Sequence, residues 1–254
     1  MKSLELRKWL DHELTKYHTS AFIETDPIQI PHRFTQKEDI EIAGFFAATF
    51  SWGQRVTIIN KSTALLERMD NAPYDFIQHH TESDLRVLLG FVHRTFNDTD
   101  LLYFVERLRF IYSEGGGLEA AFGAGMTAES QTIEDGLVHF HTSFFSSQHA
   151  PKRTQKHIAS PARNSTCKRL CMYLRWMVRD GDVDFGLWKS IQSHQLVMPY
   201  DVHVERVAKR LGLVQRKQRD WKAVLELTQA LKAFDANDPV KYDYALFGSA
   251  AIAQ

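Results

Sequence analysis

Apolar positions recur along the chain at the three- and four-residue spacing of amphipathic helices, and no stretch of useful length alternates in the manner of a half-buried strand. Residues 3–17 carry Leu6, Trp9, Leu10 and Leu14 on one stripe. From Asp39 to Phe50 the apolar face is Ile42, Phe45, Phe46 and Phe50 with Thr49, a pattern dense enough to predict a strongly buried helix. Ser51-Trp52-Gly53 breaks it, and a second helix is expected over Val56–Met69, closed by Asn71-Ala72-Pro73. Further helices are predicted at Asp84–Val92, Asp98–Tyr112 and Ile133–Phe145. Ser165 is placed to cap the next one, whose inward face is Cys167, Leu170, Cys171, Leu174 and Val178. Its other side shows Lys168, Met172, Arg175 and Arg179 in one row. Three more follow within Met198–Leu213, Asp220–Phe234 and Asp238–Ala253. Asp26–His32 reads as a Pro-punctuated extended connector, Gly115-Gly116-Gly117 as a helix end or turn, and Ser146–Ala162 as a polar, basic loop facing solvent or ligand. The fold class expected is all-α.

Length and composition narrow the picture. The 254 residues suffice for one large domain or two small ones sharing a cleft, and 44% hydrophobic with 24% charged residues is ordinary for a soluble globular protein. No apolar run approaches the roughly 18–20 residues of a membrane span, and MKSLELRKWLDHEL has no signal-peptide core, so a cytoplasmic location without membrane attachment is expected. Cys167 and Cys171 are the two cysteines, four apart on one helix face. Buried thiols fit that spacing; a disulfide along a helix is strained, and two thiols alone make no zinc site.

Formal net charge is zero, which by itself argues against a polyanion partner. The distribution changes that. Between His149 and Arg179 the bases Lys152, Arg153, Lys156, Arg163, Lys168, Arg169, Arg175 and Arg179 run with no acid among them. Such a strip is either a solvated face or a holder of phosphates. The pair His93-Arg94, between two predicted helices, invites a site reading, but such a pair in a loop is more often structural or solvated.

Chemistry concentrates in Met198–Leu213, MPYDVHVERVAKRLGL. Asp201 stands at the mouth of a helix whose face is Val204, Val207, Ala208 and Leu211. An N-cap accepting backbone N–H bonds accounts for it locally, and a carboxylate so fixed is also rigid enough for a site. The segment Tyr200-Asp201-Val202-His203-Val204, with Arg206-Val207-Ala208 and Arg210-Leu211-Gly212-Leu213, resembles the "VDTHV-x-R-V-A-x-R-L-G-L" stretch of the helix-hairpin-helix DNA glycosylases of the endonuclease III type, and the chain is similar to an uncharacterised bacterial branch of that superfamily. The resemblance implies that Asp201 is the catalytic carboxylate.

Two further segments are similar to that superfamily. Phe50-Ser51-Trp52-Gly53-Gln54-Arg55 with Asn60-Lys61 occupies the pattern "LLS-A-Q-x-T-D-x-x-V-N-K", without its aspartate, and implies that Gln54, beside Arg55, enters the gap left by an extruded base. Ser160-Pro161 and Lys168-Arg169-Leu170 stand against "L-P-G-V-G-x-K-T-A", which makes Lys168 resemble the nucleophilic lysine of members that also nick the strand. Both hairpin glycines are absent, so Arg163, Asn164 and Ser165 would hold phosphate with side chains and a helix N-terminus. By residue count alone, Lys168 is better read as a phosphate or carboxylate partner on a basic helix face.

The resemblance implies an all-α protein of two helical subdomains flanking a cleft. One, residues 1–36 plus 198–254, would carry Asp201; the other, 37–197, would carry Gln54 and Lys168. The implied function is excision of a flipped-out damaged base from duplex DNA, with nicking at the abasic site if Lys168 is the nucleophile. Arg169 and Arg175 would join the DNA contacts and help neutralise the amine. No metal or other cofactor is expected, nor the family's iron–sulfur cluster, for want of cysteines. The alternatives are a non-catalytic nucleic-acid-binding protein that keeps the fold, and action on RNA.

Overall fold

The structure, a computed structural model, describes residues 3–252. In chain order the first helices are α1 (Ser3–Tyr17), α2 (Ser20–Ile23), α3 (Lys37–Phe50), α4 (Arg55–Arg68), α5 (Pro73–His79) and α6 (Asp98–Glu114). They are followed by α7 (Gly117–Gly123), α8 (Glu134–Phe144), α9 (Lys168–Val178), α10 (Val202–Arg210), α11 (Trp221–Lys232) and α12 (Asp243–Ile252). Strand is confined, among the described residues, to β1 (Val92–His93) and β2 (Phe96–Asn97), an antiparallel two-residue ribbon. The protein is mostly helical, as expected. No helix among the described residues is long and apolar enough to cross a membrane.

The chain divides into two units. One joins Met1–Glu24, Thr127–Asp135 and Ala159–Gln254; the other joins Thr25–Met126 and Gly136–Ile158. This moves the boundary drawn from the sequence, because residues 159–197 belong with the C-terminal helices. The physical reason is α9. Nine of its residues, Leu170–Val178, are buried, and they need apolar cover on every side.

In the first unit α1 lies along α12, and α10 packs on α12 as well. Trp176, Trp188, Tyr200, Tyr242 and Tyr244 are fully enclosed there. Burial of each such side chain contributes about 1.5–3 kcal/mol. The approach of α12 to α1 depends on Gly248. A Cβ at that position would come 2.3 Å from the ring of Tyr17, well inside contact distance. Gly248→Ala is therefore expected to lower stability by about 1–3 kcal/mol, read as a drop in the urea midpoint. An unchanged midpoint would show that Tyr17 swings clear without loss.

The second unit has an aromatic core. Phe122 stacks on Phe140 with centroids 3.8 Å apart, Phe104 meets Phe45 at 5.8 Å, and Phe96 stands edge-on to Phe104 at 5.2 Å. The buried carboxylate of Glu41 accepts the Tyr112 hydroxyl at 2.7 Å. Asn97 and Asp100 form a reciprocal capping box at the head of α6, where the polar-to-apolar switch in the sequence places a helix start.

Several segments differ from expectation. Asp26–His32 is not extended: Pro27–Gln29 and Pro31–Arg33 are single 3-10 turns, with Asp26 Oδ1 accepting the N–H of Ile28 at 3.1 Å. The helix expected over 84–92 shrinks to a 3-10 turn, Asp84–Leu88; Gly90, at φ +72°, ends it and Val92 pairs into the ribbon. The short helices α5 and α7 escape a periodicity reading because each has barely two turns. Residues 146–162 are not wholly a solvent-facing loop. Thr154 and His157 are buried, and Thr154 Oγ1 donates to Asp100 Oδ1 at 2.7 Å. Burial would raise the Asp100 carboxyl, but hydrogen bonds with His157, Thr154 and the Asn97 backbone hold it down at about 2, and Arg153 pairs with it.

Candidate active site

The buried stretch Met198–Tyr200 delivers Asp201 to the head of α10. Asp201 Oδ1 accepts the backbone N–H groups of His203 at 2.9 Å and Val204 at 3.0 Å, the N-cap that the sequence predicts. Both capping bonds use the same oxygen. The other, Oδ2, lies 4.0 Å from Nζ of Lys168. That separation is an ion-pair contact rather than a hydrogen bond. The two side chains are 23% and 20% exposed, so neither is sealed in the core nor fully in water.

Lys168 is the first residue of α9. Ser165 does not cap this helix: its Oγ accepts the N–H of Cys167 at 3.3 Å, and Cys167, at φ +49°, turns the chain into the helix. Upstream, Asn164 sits at φ +56° and is tied to the head of α11. Its Nδ2 donates to Asp220 Oδ2 at 3.2 Å, and its carbonyl accepts the N–H of Trp221 at 3.3 Å. The approach to Lys168 is thus fixed by the residue that caps α11. Asn164 and Ser165 serve this turn, and Arg163 is exposed beside it.

Along the face of α9 that carries Lys168 come Cys171 and Arg175. Arg175 was expected outward, as a DNA contact. It is buried and ion-paired instead: Nε donates to Asp184 Oδ1 at 3.3 Å and Nη1 donates to Asp243 Oδ2. Arg179, also expected outward, donates to Asp184 through Nη1 and to Asp238 through Nε at 2.8 Å. The Tyr244 hydroxyl donates to Asp184 Oδ1 at 2.7 Å, and the Arg175 guanidinium lies over the Tyr244 ring, 4.2 Å from its centroid. Arg169 is half-buried, and desolvation lowers its pKa. A signal for the inward arginines was present. Residues 170–178, LCMYLRWMV, are apolar all round but for Arg175, and a cation in such a segment has to be buried with a partner.

Sequence reasoning missed the partners themselves, Asp184, Asp238 and Asp243. Burial pushes the Asp243 carboxyl up to about 6; Arg175 opposes the rise, the Asp201 charge adds to it, and Lys168 opposes it. Burial also pushes the Cys167 thiol up to about 12 and the Cys171 thiol well above its ordinary value. Both cysteines are free and buried, and neither is a thiolate nucleophile near neutral pH.

Gln54 and Arg55 belong to the other unit. Gln54 is exposed at the head of α4 and Arg55 is half-buried. The turn before them requires Gly53, at φ +114°, where a Cβ would lie 2.5 Å from Nη1 of Arg94. Arg94 stacks on the Trp52 ring at 4.7 Å, and His93 Nε2 bonds the Phe50 carbonyl at 3.0 Å. The His93-Arg94 pair therefore braces this turn.

No curated protein and no solved structure is detectably similar to the chain. One family does match, over residues 26–251, a span that takes in Gln54, Lys168, Asp201 and Asp243. On that match the chain belongs to the family described as "Protein of unknown function (DUF2400)".

Proposed function

We propose that the protein is a DNA base-excision glycosylase with an AP-lyase step, acting on a damaged base turned out of its duplex. The observation that carries this reading is the approach of Asp201 Oδ2 to Lys168 Nζ at 4.0 Å, with the carboxylate fixed through its other oxygen. Extruding a nucleotide costs a few kcal/mol, least where the base is damaged or mispaired. Cleavage of the glycosidic bond builds positive charge on the sugar, and a fixed carboxylate stabilises that charge as it forms. Lys168, once neutral, adds to the anomeric carbon while the base departs with its bonding electrons and takes up a proton. Opening of the sugar ring gives a Schiff base, and loss of the neighbouring C2′ proton expels the 3′ phosphate.

The same arrangement serves a second reading, a nucleic-acid-binding protein without chemistry, on DNA or RNA. It is favoured by the closed Arg175 and Arg179 pairs, which leave Lys168 and Asp201 to compensate one another as a structural ion pair. Borohydride trapping separates the two. On duplexes carrying an abasic site or an oxidised, alkylated or deaminated base, the wild-type protein is expected to form a covalent adduct that Lys168→Gln abolishes. Salt-sensitive binding with no product on any duplex, indifferent to Asp201→Asn, would establish the binding protein.

A further inference from the structure

We infer that Asp220 is a positioning residue: with residues 215–219 it joins the turn that leads into Lys168 to the helix that Asp201 heads, and so sets the distance between amine and carboxylate. The inference rests on the reading of that pair as the reacting groups. Their own approach, at 4.0 Å and partly exposed, is too loose to hold two helix heads in register. Something else has to do so.

On the Lys168 side the tie is made twice. Asn164 Nδ2 donates to Asp220 Oδ2 at 3.2 Å, and the Asn164 carbonyl accepts the N–H of Trp221, the residue after Asp220, at 3.3 Å. Asn164 lies at φ +56°, a left-handed conformation that asparagine tolerates better than most residues. Lys168 follows it closely in the chain. Asp220 is itself fixed. Its Oδ1 caps α11 by accepting the N–H of Ala223 at 3.1 Å and also accepts Nε of Arg216 at 2.7 Å, while Oδ2 accepts Nη2 of the same guanidinium.

On the Asp201 side the contact runs through Glu205. It stands one turn into α10 and donates its N–H to the Asp201 carbonyl at 2.8 Å. Arg219, next to Asp220, donates Nη1 to Glu205 Oε2 at 3.4 Å. Lys209 Nζ joins Glu205 Oε1, at 2.6 Å, to the Lys217 carbonyl, at 3.1 Å. The other end of the loop is anchored on α11, where Glu226 accepts the N–H groups of Gln215 at 2.7 Å and Arg216 at 3.3 Å. Residues 215–220 thus form a short strut tied at both ends. Asp220 acts on Lys168 through Asn164 and on α10 through its neighbour Arg219. A misplacement of about 1 Å between reacting groups can cost on the order of a hundredfold in rate.

The test is zero-length cross-linking of the full chain with a water-soluble carbodiimide, which joins a carboxylate to an amine in contact with it. The Lys168–Asp201 amide is scored by mass spectrometry against that of Lys37 and Glu119, a pair in the other unit at 2.6 Å. Asn164→Gly keeps the left-handed backbone and removes only the side-chain tie. Asp220→Ser keeps a cap on α11 but is too short to hold Asn164 and Arg216 as well. Each is expected to lower the Lys168–Asp201 yield about tenfold at constant Lys37–Glu119 yield. The exchange of Asn164→Asp with Asp220→Asn, which reverses donor and acceptor, should restore most of it. Should Asp220→Ser not fold, Asn164→Gly decides alone. Yields unchanged in the single variants, or no amide in the wild type, overturn the inference. In borohydride trapping at saturating duplex the single variants should slow adduct formation about tenfold with half-saturation unchanged. Cross-linking that depends on Asp220, with no adduct on any duplex, upholds the strut and overturns only the glycosylase reading. An adduct formed at the wild-type rate in both single variants overturns only the role of Asp220.

Discussion

Replacing Asp184 by alanine is expected to destabilise the protein by about 3–5 kcal/mol, the cost of breaking a buried charge network from one side. The Asp184 side chain is fully buried and accepts from Arg175, Arg179 and Tyr244. Without it, each guanidinium keeps one carboxylate, Arg175 holding Asp243 and Arg179 holding Asp238, but two cations are left sharing a dry space with one anion fewer. The Tyr244 hydroxyl loses its acceptor as well. Asp184→Asn keeps an acceptor and the shape, so its loss should be smaller. Urea unfolding reads both, and a midpoint shift worth less than about 1 kcal/mol for alanine would show the network to be replaceable by water.

Asp201→Asn should have the largest effect on activity, a loss of roughly a hundred- to a thousandfold in single-turnover excision, because the charge that meets the developing cation is gone. The fold should not notice. Asparagine caps helices as well as aspartate does, and its Oδ1 can accept the same N–H groups of His203 and Val204. Asp201→Ala, by contrast, loses cap and charge together and should cost about 0.5–2 kcal/mol of stability besides. The comparison separates the two roles that one residue combines at this position. Excision unaffected by Asp201→Asn, in a variant as stable as wild type, would falsify the assignment of the carboxylate.

The long helices were legible because periodicity reports which face is buried, and α1, α3, α4, α6, α10 and α11 stand where their stripes placed them. Asp201 was legible as a cap for an equally local reason. The contact of Lys168 with Asp201 had no local signal, since the two lie on separate helices; only the likeness of their flanking residues to a known family brought them together. The row Lys168, Met172, Arg175, Arg179 was misjudged because spacing shows which residues share a face, not whether water or a carboxylate lies opposite. Asp184, just past the helix, and Asp238 and Asp243, far along the chain, supply that answer. The 84–92 stretch failed for another reason. Its apolar residues also fit a tight turn and ribbon, and Gly90 with the anchored Phe91 and Phe96 favours the latter.

The pairing of α1 with α12 bears on how the polypeptide is made. Synthesis delivers α1 well before α12, with the whole aromatic unit emerging in between. The stripe of Leu6 and Leu10 therefore waits for the cover that α12 supplies until α12 has emerged. The unit holding Lys168 and Asp201 closes after its neighbour, and the nascent chain passes through a stage in which the aromatic unit is complete while α1 still waits for α12.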